Sequence, residues 1–213
     1  SRKYLMASLN QSLKRMNLDY VDIFYSHRYD PVTPLEETLQ TLVDIVRQGK
    51  ALYVGISKYP KEATEFAYKY LAERDVHCLL YQGKYNLFNR EPEEEGILRQ
   101  AKENGTGFIA FSPLAQGLLT NRYLNGIPED SRMARGGFLK KEQLTEDVLS
   151  KIKALNKMAE ERGQTLAEMA LAWVLKDDLV TSVIIGASSV AQLEDNLKAI
   201  RNTSFTKEEL RRL

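Results

Sequence analysis

The sequence is short of the residues that would let it work through cysteine chemistry or net charge. Cys78 is the only cysteine among 213 residues, so neither an internal disulfide nor a cysteine-built metal site can form. Thirty basic residues face 29 acidic ones, a formal net charge of +1, which leaves no electrostatic footprint for nucleic acid or an anionic membrane. Apolar runs such as Val183-Ile184-Ile185 fall far short of the roughly 20 residues that cross a bilayer. No Gly-x-Gly-x-x-Gly follows an apolar run, so the dinucleotide fingerprint of the open doubly wound fold is missing. What remains is small-molecule chemistry, without nucleic acid or membrane as a partner and with a reducing compartment, the cytoplasm, as the default. Ser1 rather than Met opens the chain, and the N-terminus reads as cut.

What the sequence does contain is alternation. Five short, mostly apolar runs lie at residues 20–25, 51–56, 76–81, 108–111 and 180–185. Helical periodicity fills the gaps between them. Thr33-Pro34-Leu35-Glu36 offers an N-cap, a proline at the first helical position and a capping-box glutamate. Leu35, Leu39, Leu42, Val43 and Val46 then share one face, and Gly49 can turn left-handed at the end. Thr165-Leu166-Ala167-Glu168 and Ser189-Val190-Ala191-Gln192 open two further helices with the same box pattern. Leu5, Leu9, Leu13 and Met16 mark a helix before the first run.

Strands alternating with helices of this length imply βαβ units and a parallel sheet. With polar residues clustered just after successive strands, a (β/α)₈ barrel is favoured, because those strand ends form its active-site face. A closed barrel needs eight units and the sequence supplies five. The irregular stretch 113–143, rich in glycine and proline, reads as a functional lid or binding loop.

The strand ends carry specific words: Tyr20-Val21-Asp22-Ile23-Phe24-Tyr25-Ser26-His27-Arg28, Gly49-Lys50-Ala51-Leu52-Tyr53-Val54-Gly55-Ile56-Ser57, Ala110-Phe111-Ser112-Pro113-Leu114-Ala115-Gln116-Gly117 and Ile185-Gly186-Ala187-Ser188. In content and order they resemble successive signatures of the aldo-keto reductase family. The similarity is strongest to the branch holding bacterial glyceraldehyde 3-phosphate reductases and the β subunits of voltage-gated potassium channels. It implies an α/β TIM barrel, (β/α)₈, of which residues 1–213 form the C-terminal part of one domain: strands four to eight, with the first three units missing. It also implies an NADP-dependent oxidoreductase that reduces small aldehydes and ketones to alcohols, with phosphorylated aldehydes such as glyceraldehyde 3-phosphate as candidate substrates. The same branch allows a homo-oligomer.

In that family a hydride passes to a carbonyl carbon while a tyrosine protonates the developing alkoxide, aided by a lysine paired with an aspartate and by a histidine. An alkoxide forming in a low-dielectric pocket needs its proton source in place beforehand. His27 matches the histidine; the tyrosine, lysine and aspartate belong upstream of Ser1, so this chain alone is expected to be inactive. Read from its letter alone, a histidine after a strand is more often structural, and only the resemblance makes His27 catalytic. His77 matches no role and is expected to pack or hydrogen-bond.

The resemblance assigns more of the cofactor site. Gln82 is implied for the nicotinamide carboxamide, with Ser57 and Lys58 nearby and Phe111 on the nicotinamide side. Ser112, Pro113, Leu114, Ala115, Gln116 and Gly117 form a loop suited to the pyrophosphate as an anion nest. Gly186 and Ser188 precede a helix over 190–201, whose N-terminus favours phosphate. Gln192, Asp195 and Asn196, as bare letters a solvated helix face, match the positions for the adenosine 2′-phosphate and adenine. Arg122 and Arg132 match basic positions at the same end, where a guanidinium fork suits a phosphate monoester. No metal is implied. The rival reading is a regulatory NADPH-binding subunit like the channel β subunits; those relatives carry asparagine where this sequence has His27. A third is an inactive truncated product.

Overall fold

The computed structural model describes residues 1–129, 131, 133, 134, 136 and 139–213. Along the chain run α1 (Arg2–Met16), β1 (Val21–Ser26), α2 (Leu35–Arg47), β2 (Ala51–Ser57), α3 (Lys61–Ala72), β3 (Cys78–Lys84), α4 (Glu91–Glu94), α5 (Ile97–Glu103) and β4 (Gly107–Phe111). After three 3₁₀ turns come α6 (Glu146–Glu161), α7 (Leu166–Val174), β5 (Ser182–Ile184), α8 (Val190–Leu197) and α9 (Lys207–Arg212). The five strands form one sheet in the order β1-β2-β3-β4-β5, with parallel β1–β2 and β2–β3 ladders. The expected β/α alternation is present, and β1 and β5 stand at the two ends of the strand order. The chain divides into two compact units, Ser1–Gly83 with Glu91–Ile109, and Lys84–Arg90 with Ala110–Leu213.

In the first unit the sheet is covered because α2 carries a wide apolar face. Leu39, Leu42, Val43 and Ile45 are fully buried, and the helix packs on α1, α3 and β2. Each such side chain contributes about 1.5–3 kcal/mol by leaving water. The end of α2 is as expected, with Gly49 left-handed at φ 68°. Its start is not. The Thr33 hydroxyl donates to Asp30 Oδ2 at 2.6 Å, so Pro34 rather than Thr33 holds the cap position, without a side-chain bond. Gly55, opposite Tyr25 in the ladder, is required by close approach: a Cβ there would lie 2.5 Å from the Tyr25 ring. Strand limits shift slightly. The third run pairs as Cys78–Lys84 rather than 76–81, because the β2–β3 ladder opens at Val54↔Cys78 with a register shift beside Gly55.

In the second unit α6 and α7 close on a core of Leu118, Tyr123, Met133, Leu139, Ile152, Met158, Leu166 and Met169. Leu118, Tyr123, Met133 and Leu139 thus anchor the described residues of the stretch 113–143 in this core. Thr165 caps α7 as expected, with Glu168 returning the bond. At α8 the Ser189 hydroxyl caps Gln192 N–H, but the Gln192 side chain reaches Ser188 instead of Ser189, so the reciprocal half of the expected box is displaced by one residue. The helix expected over 190–201 is α only to Leu197 and tightens to a 3₁₀ turn at Lys198–Arg201. The last run shortens to Ser182–Ile184. Among the described residues no helix is long and apolar enough to cross a membrane.

Candidate functional site

The first unit contains four of the expected residues, at the C-terminal ends of three adjacent parallel strands. Ser26, the last residue of β1, pairs with Ile56 of β2, which places His27 and Ser57 at the same level of the sheet. Ser57 pairs in turn with Gln82 of β3. Lys58 leaves β2 in a left-handed turn, φ 54°, and its N–H donates to the Gln82 carbonyl at 3.3 Å. Ser57 is buried, Gln82 half-buried, and His27 and Lys58 exposed. Carboxyl ends of parallel strands are where α/β sheets bind ligands. His77 lies away from this row. Its Nε2 donates to the Gly105 carbonyl at 3.2 Å, the hydrogen-bonding role expected of it.

Behind these positions sits a residue that sequence reasoning missed. Tyr59 is 2% exposed, and its hydroxyl shares a 2.9 Å hydrogen bond with the Ser26 hydroxyl. Its carbonyl accepts from the Tyr81 hydroxyl at 2.8 Å. Burial pushes the Tyr59 hydroxyl pKa above the ordinary phenol range, although the Ser26 bond acts the other way. The group is therefore a neutral structural donor and acceptor at neutral pH. Tyr81 is likewise raised by burial, against the bond to Tyr59.

The second unit holds the other expected residues. From Ser112 to Gly117 the backbone turns left-handed at Ser112 (φ 53°), Ala115 (46°), Gln116 (60°) and Gly117 (103°), a concave turn of the nest type. Its N–H groups are partly committed, since those of Ala115 and Gly117 donate to the carbonyls of Ser112 and Leu114. Pro113 is buried, while Phe111 and Leu114 are half-buried. Asn86, fully buried, anchors the turn: its Nδ2 donates to the Ser112 carbonyl at 2.9 Å and its Oδ1 accepts from Phe88 N–H at 2.9 Å. Nothing in the Lys84-Tyr85-Asn86 stretch signals that role before the chain is folded.

At α8, Gln192 Oε1 accepts from Ser188 N–H at 2.7 Å and from its hydroxyl at 3.0 Å, so these two expected residues are brought together. Asp195 pairs with Lys198 at 2.6 Å. Gly186 lies exposed in the connection into the helix, and Arg122 is exposed on a 3₁₀ turn opened by the Thr120 hydroxyl. Arg132 lies outside the described residues. Asn196 departs from the solvated-face alternative. It is 5% exposed, and its Nδ2 is buried without a hydrogen-bond partner among the described residues. A buried donor left unmatched costs about 1–3 kcal/mol, so an acceptor supplied by a bound adenine fits this position. Among the described residues no cluster of His, Cys, Asp or Glu could hold a metal.

The sequence pattern of the Aldo/keto reductase family matches residues 1–213. The chain belongs to that family. Among aldo/keto reductases, the L-glyceraldehyde 3-phosphate reductase of Escherichia coli (strain K12) is 56% identical over 214 residues, covering 99% of this chain and 62% of that protein. A probable voltage-gated potassium channel subunit beta of Arabidopsis thaliana is 38% identical over 204 residues, covering 94% of this chain and 62% of that one. A crystal structure of a thermostable aldo-keto reductase in complex with the inhibitor epalrestat superposes with a TM-score of 0.75 at 30% identity, over 99% of this chain and 65% of that one. The chain thus has the α/β aldo-keto reductase fold and spans about 62% of the length of the curated relatives it matches.

Proposed function

We propose that the protein carrying this chain is an NADPH-dependent reductase of small aldehydes, with glyceraldehyde 3-phosphate as its substrate. The observation that carries the reading is the row His27, Ser57 and Gln82 at adjacent strand ends, in a chain 56% identical to a glyceraldehyde 3-phosphate reductase. The five strands are taken as the fourth to eighth of a (β/α)₈ barrel. Five of eight units is about the share of its relatives that the chain spans. The remaining units would supply the tyrosine, lysine and aspartate that the resemblance implies.

On this reading Gln82 and Ser57 would orient the nicotinamide, and Ser188, Gln192 and Arg122 would hold the 2′-phosphate end. Asn196 would donate its unmatched N–H to the adenine. When bound, the dihydronicotinamide supplies the hydride. His27, the residue just past the last β1–β2 ladder pair, would hydrogen-bond the carbonyl oxygen of the substrate. That bond steers the carbonyl and stabilises negative charge developing on the oxygen. The test is turnover of the complete protein, followed as loss of NADPH absorbance with glyceraldehyde 3-phosphate. Steady oxidation that depends on the aldehyde is the expected result.

A second reading, a regulatory NADPH-binding subunit, draws support from the 38% identity to a probable channel β subunit. It predicts tight NADPH binding without multiple turnover. The histidine at position 27, where the resemblance implies asparagine in the channel-associated branch, favours the reductase.

A further inference from the structure

The four site positions of the first unit share a feature that lies beneath them: each is tied to Tyr59. Ser57 and Lys58 are the residues immediately before it. Gln82 follows Tyr81, whose hydroxyl donates to the Tyr59 carbonyl at 2.8 Å. His27 is held from both sides. Ser26, just before it, is buried and shares the 2.9 Å hydroxyl bond with Tyr59. Tyr29, two residues after it, meets the Tyr59 ring edge-on with centroids 5.6 Å apart. Tyr59 is itself seated by α3, where the Thr64 hydroxyl donates to the carbonyls of Tyr59 and Pro60 at 3.3 and 3.0 Å.

From this geometry we infer that Tyr59 is the positioning residue of the site, a buried clamp that fixes His27 relative to Ser57, Lys58 and Gln82. The inference rests on the reductase reading for its catalytic consequence. His27 itself is exposed and lies beyond the last ladder pair, Ser26↔Ile56, so its backbone has left the hydrogen-bonded sheet. Its direction is then set by the residues flanking it, and both flanks are Tyr59 contacts. The hydroxyl pair is strong in this role because it is buried: either group left alone would be an unmatched polar atom away from water. An imidazole displaced by even 1 Å loses alignment with a carbonyl, and displacements of that size cost about 100-fold in rate at the extreme.

The experiment uses the complete protein and the variants Tyr59→Phe, which deletes one hydroxyl and keeps the ring against Tyr29, and Ser26→Ala, which cuts the same bond from the other end. The first readout is kcat and KM for NADPH-dependent aldehyde reduction. Each variant should lower kcat about tenfold with KM for NADPH little changed, and the double variant should be no worse than either single one, because both remove one interaction. The second readout is independent of turnover: the imidazole proton signals of His27 in NMR, assigned with His27→Ala, with those of His77 as an internal control. In both variants the His27 signals should shift or broaden while the His77 signals stay. Should Tyr59→Phe fail to fold, Ser26→Ala carries the same test. Wild-type kcat in both variants, additive losses in the double variant, or unchanged His27 signals would each overturn the clamp. A wild-type protein without reductase activity would overturn the function reading instead, and the NMR comparison would then decide the clamp alone.

Discussion

Adding one methyl group beside Gln82, in Gly83→Ala, sets two effects of opposite sign against each other. Gly83 sits in β3, so an alanine would restrict the unfolded chain and stabilise by about 0.4–1 kcal/mol if the folded site could take it. The folded site cannot. A Cβ there would lie 2.6 Å from Cζ and 3.0 Å from Cε2 of Phe108, and 3.1 Å from Cε1 of Tyr81. Carbon atoms in contact prefer roughly 3.5–4 Å, so the Phe108 ring would have to retreat by about 1 Å. Phe108 is fully buried and stacked on Tyr81, with centroids 5.5 Å apart and planes 14° from parallel. A contact as close as 2.6 Å puts the overpacking cost in the upper part of its usual range, about 2–3 kcal/mol, so the steric effect wins and the net loss is about 1–2.5 kcal/mol. Because Tyr81 also donates to the Tyr59 carbonyl, moving it disturbs the Gln82 end of the site. Urea denaturation of the complete protein measures the first effect and NADPH titration the second. A variant as stable as wild type, or more stable, with unchanged NADPH affinity would show that the Phe108 and Tyr81 rings accommodate the methyl group.

Other outcomes follow from the same geometry. Glu209 accepts from the Thr206 backbone N–H and pairs with Arg162, whose side chain is 5% exposed; these bonds hold its carboxyl pKa below the usual 4.5. Because the folded pKa is depressed, its contribution is present above about pH 4.5 and is lost as pH falls through the lower folded value. Glu209→Gln should cost about 1.5–3 kcal/mol in neutral-pH unfolding and flatten the acid limb of stability; an identical acid limb would contradict this. Burial pushes the Cys78 thiol up to about 12, so it should resist alkylation at neutral pH in the native state and react in denaturant. NADPH should bind at least tenfold more tightly than NADH, since charge-assisted bonds to the 2′-phosphate contribute roughly 1.5–3 kcal/mol each; equal dissociation constants would remove Arg122, Ser188 and Gln192 from that role.

Much of the fold was legible because it is written in periodicity. The runs at 20–25, 51–56 and 108–111 became strands within a residue or two, and Thr165 caps α7 with Glu168 as its letters imply. Strand ends were less legible, since a continuous apolar run does not say where its ladder begins. Val76 and His77 precede the first pair of β3, and the run at 180–185 retains only Ser182–Ile184. Caps failed where a second acceptor or donor competed, as Asp30 does for Thr33 and Ser188 for Gln192. Of the candidate site, the placement of His27, Ser57 and Gln82 at the ends of strands was legible from the apolar runs that precede them. The roles of Tyr59 and Asn86 were not, because each acts through partners that only folding brings near: Ser26 lies 33 residues from Tyr59, and Ser112 lies 26 from Asn86.

Whether His27 acts on the carbonyl of a reductase substrate is decided by the kcat and NADPH affinity of the complete protein carrying His27→Ala. A general acid–base or orienting group contributes about 100-fold or more to turnover without holding the cofactor. In His27→Ala kcat should fall by about that factor at unchanged NADPH affinity and thermal stability. Wild-type turnover in the variant, or a collapse of stability that accounts for the lost activity, would contradict it.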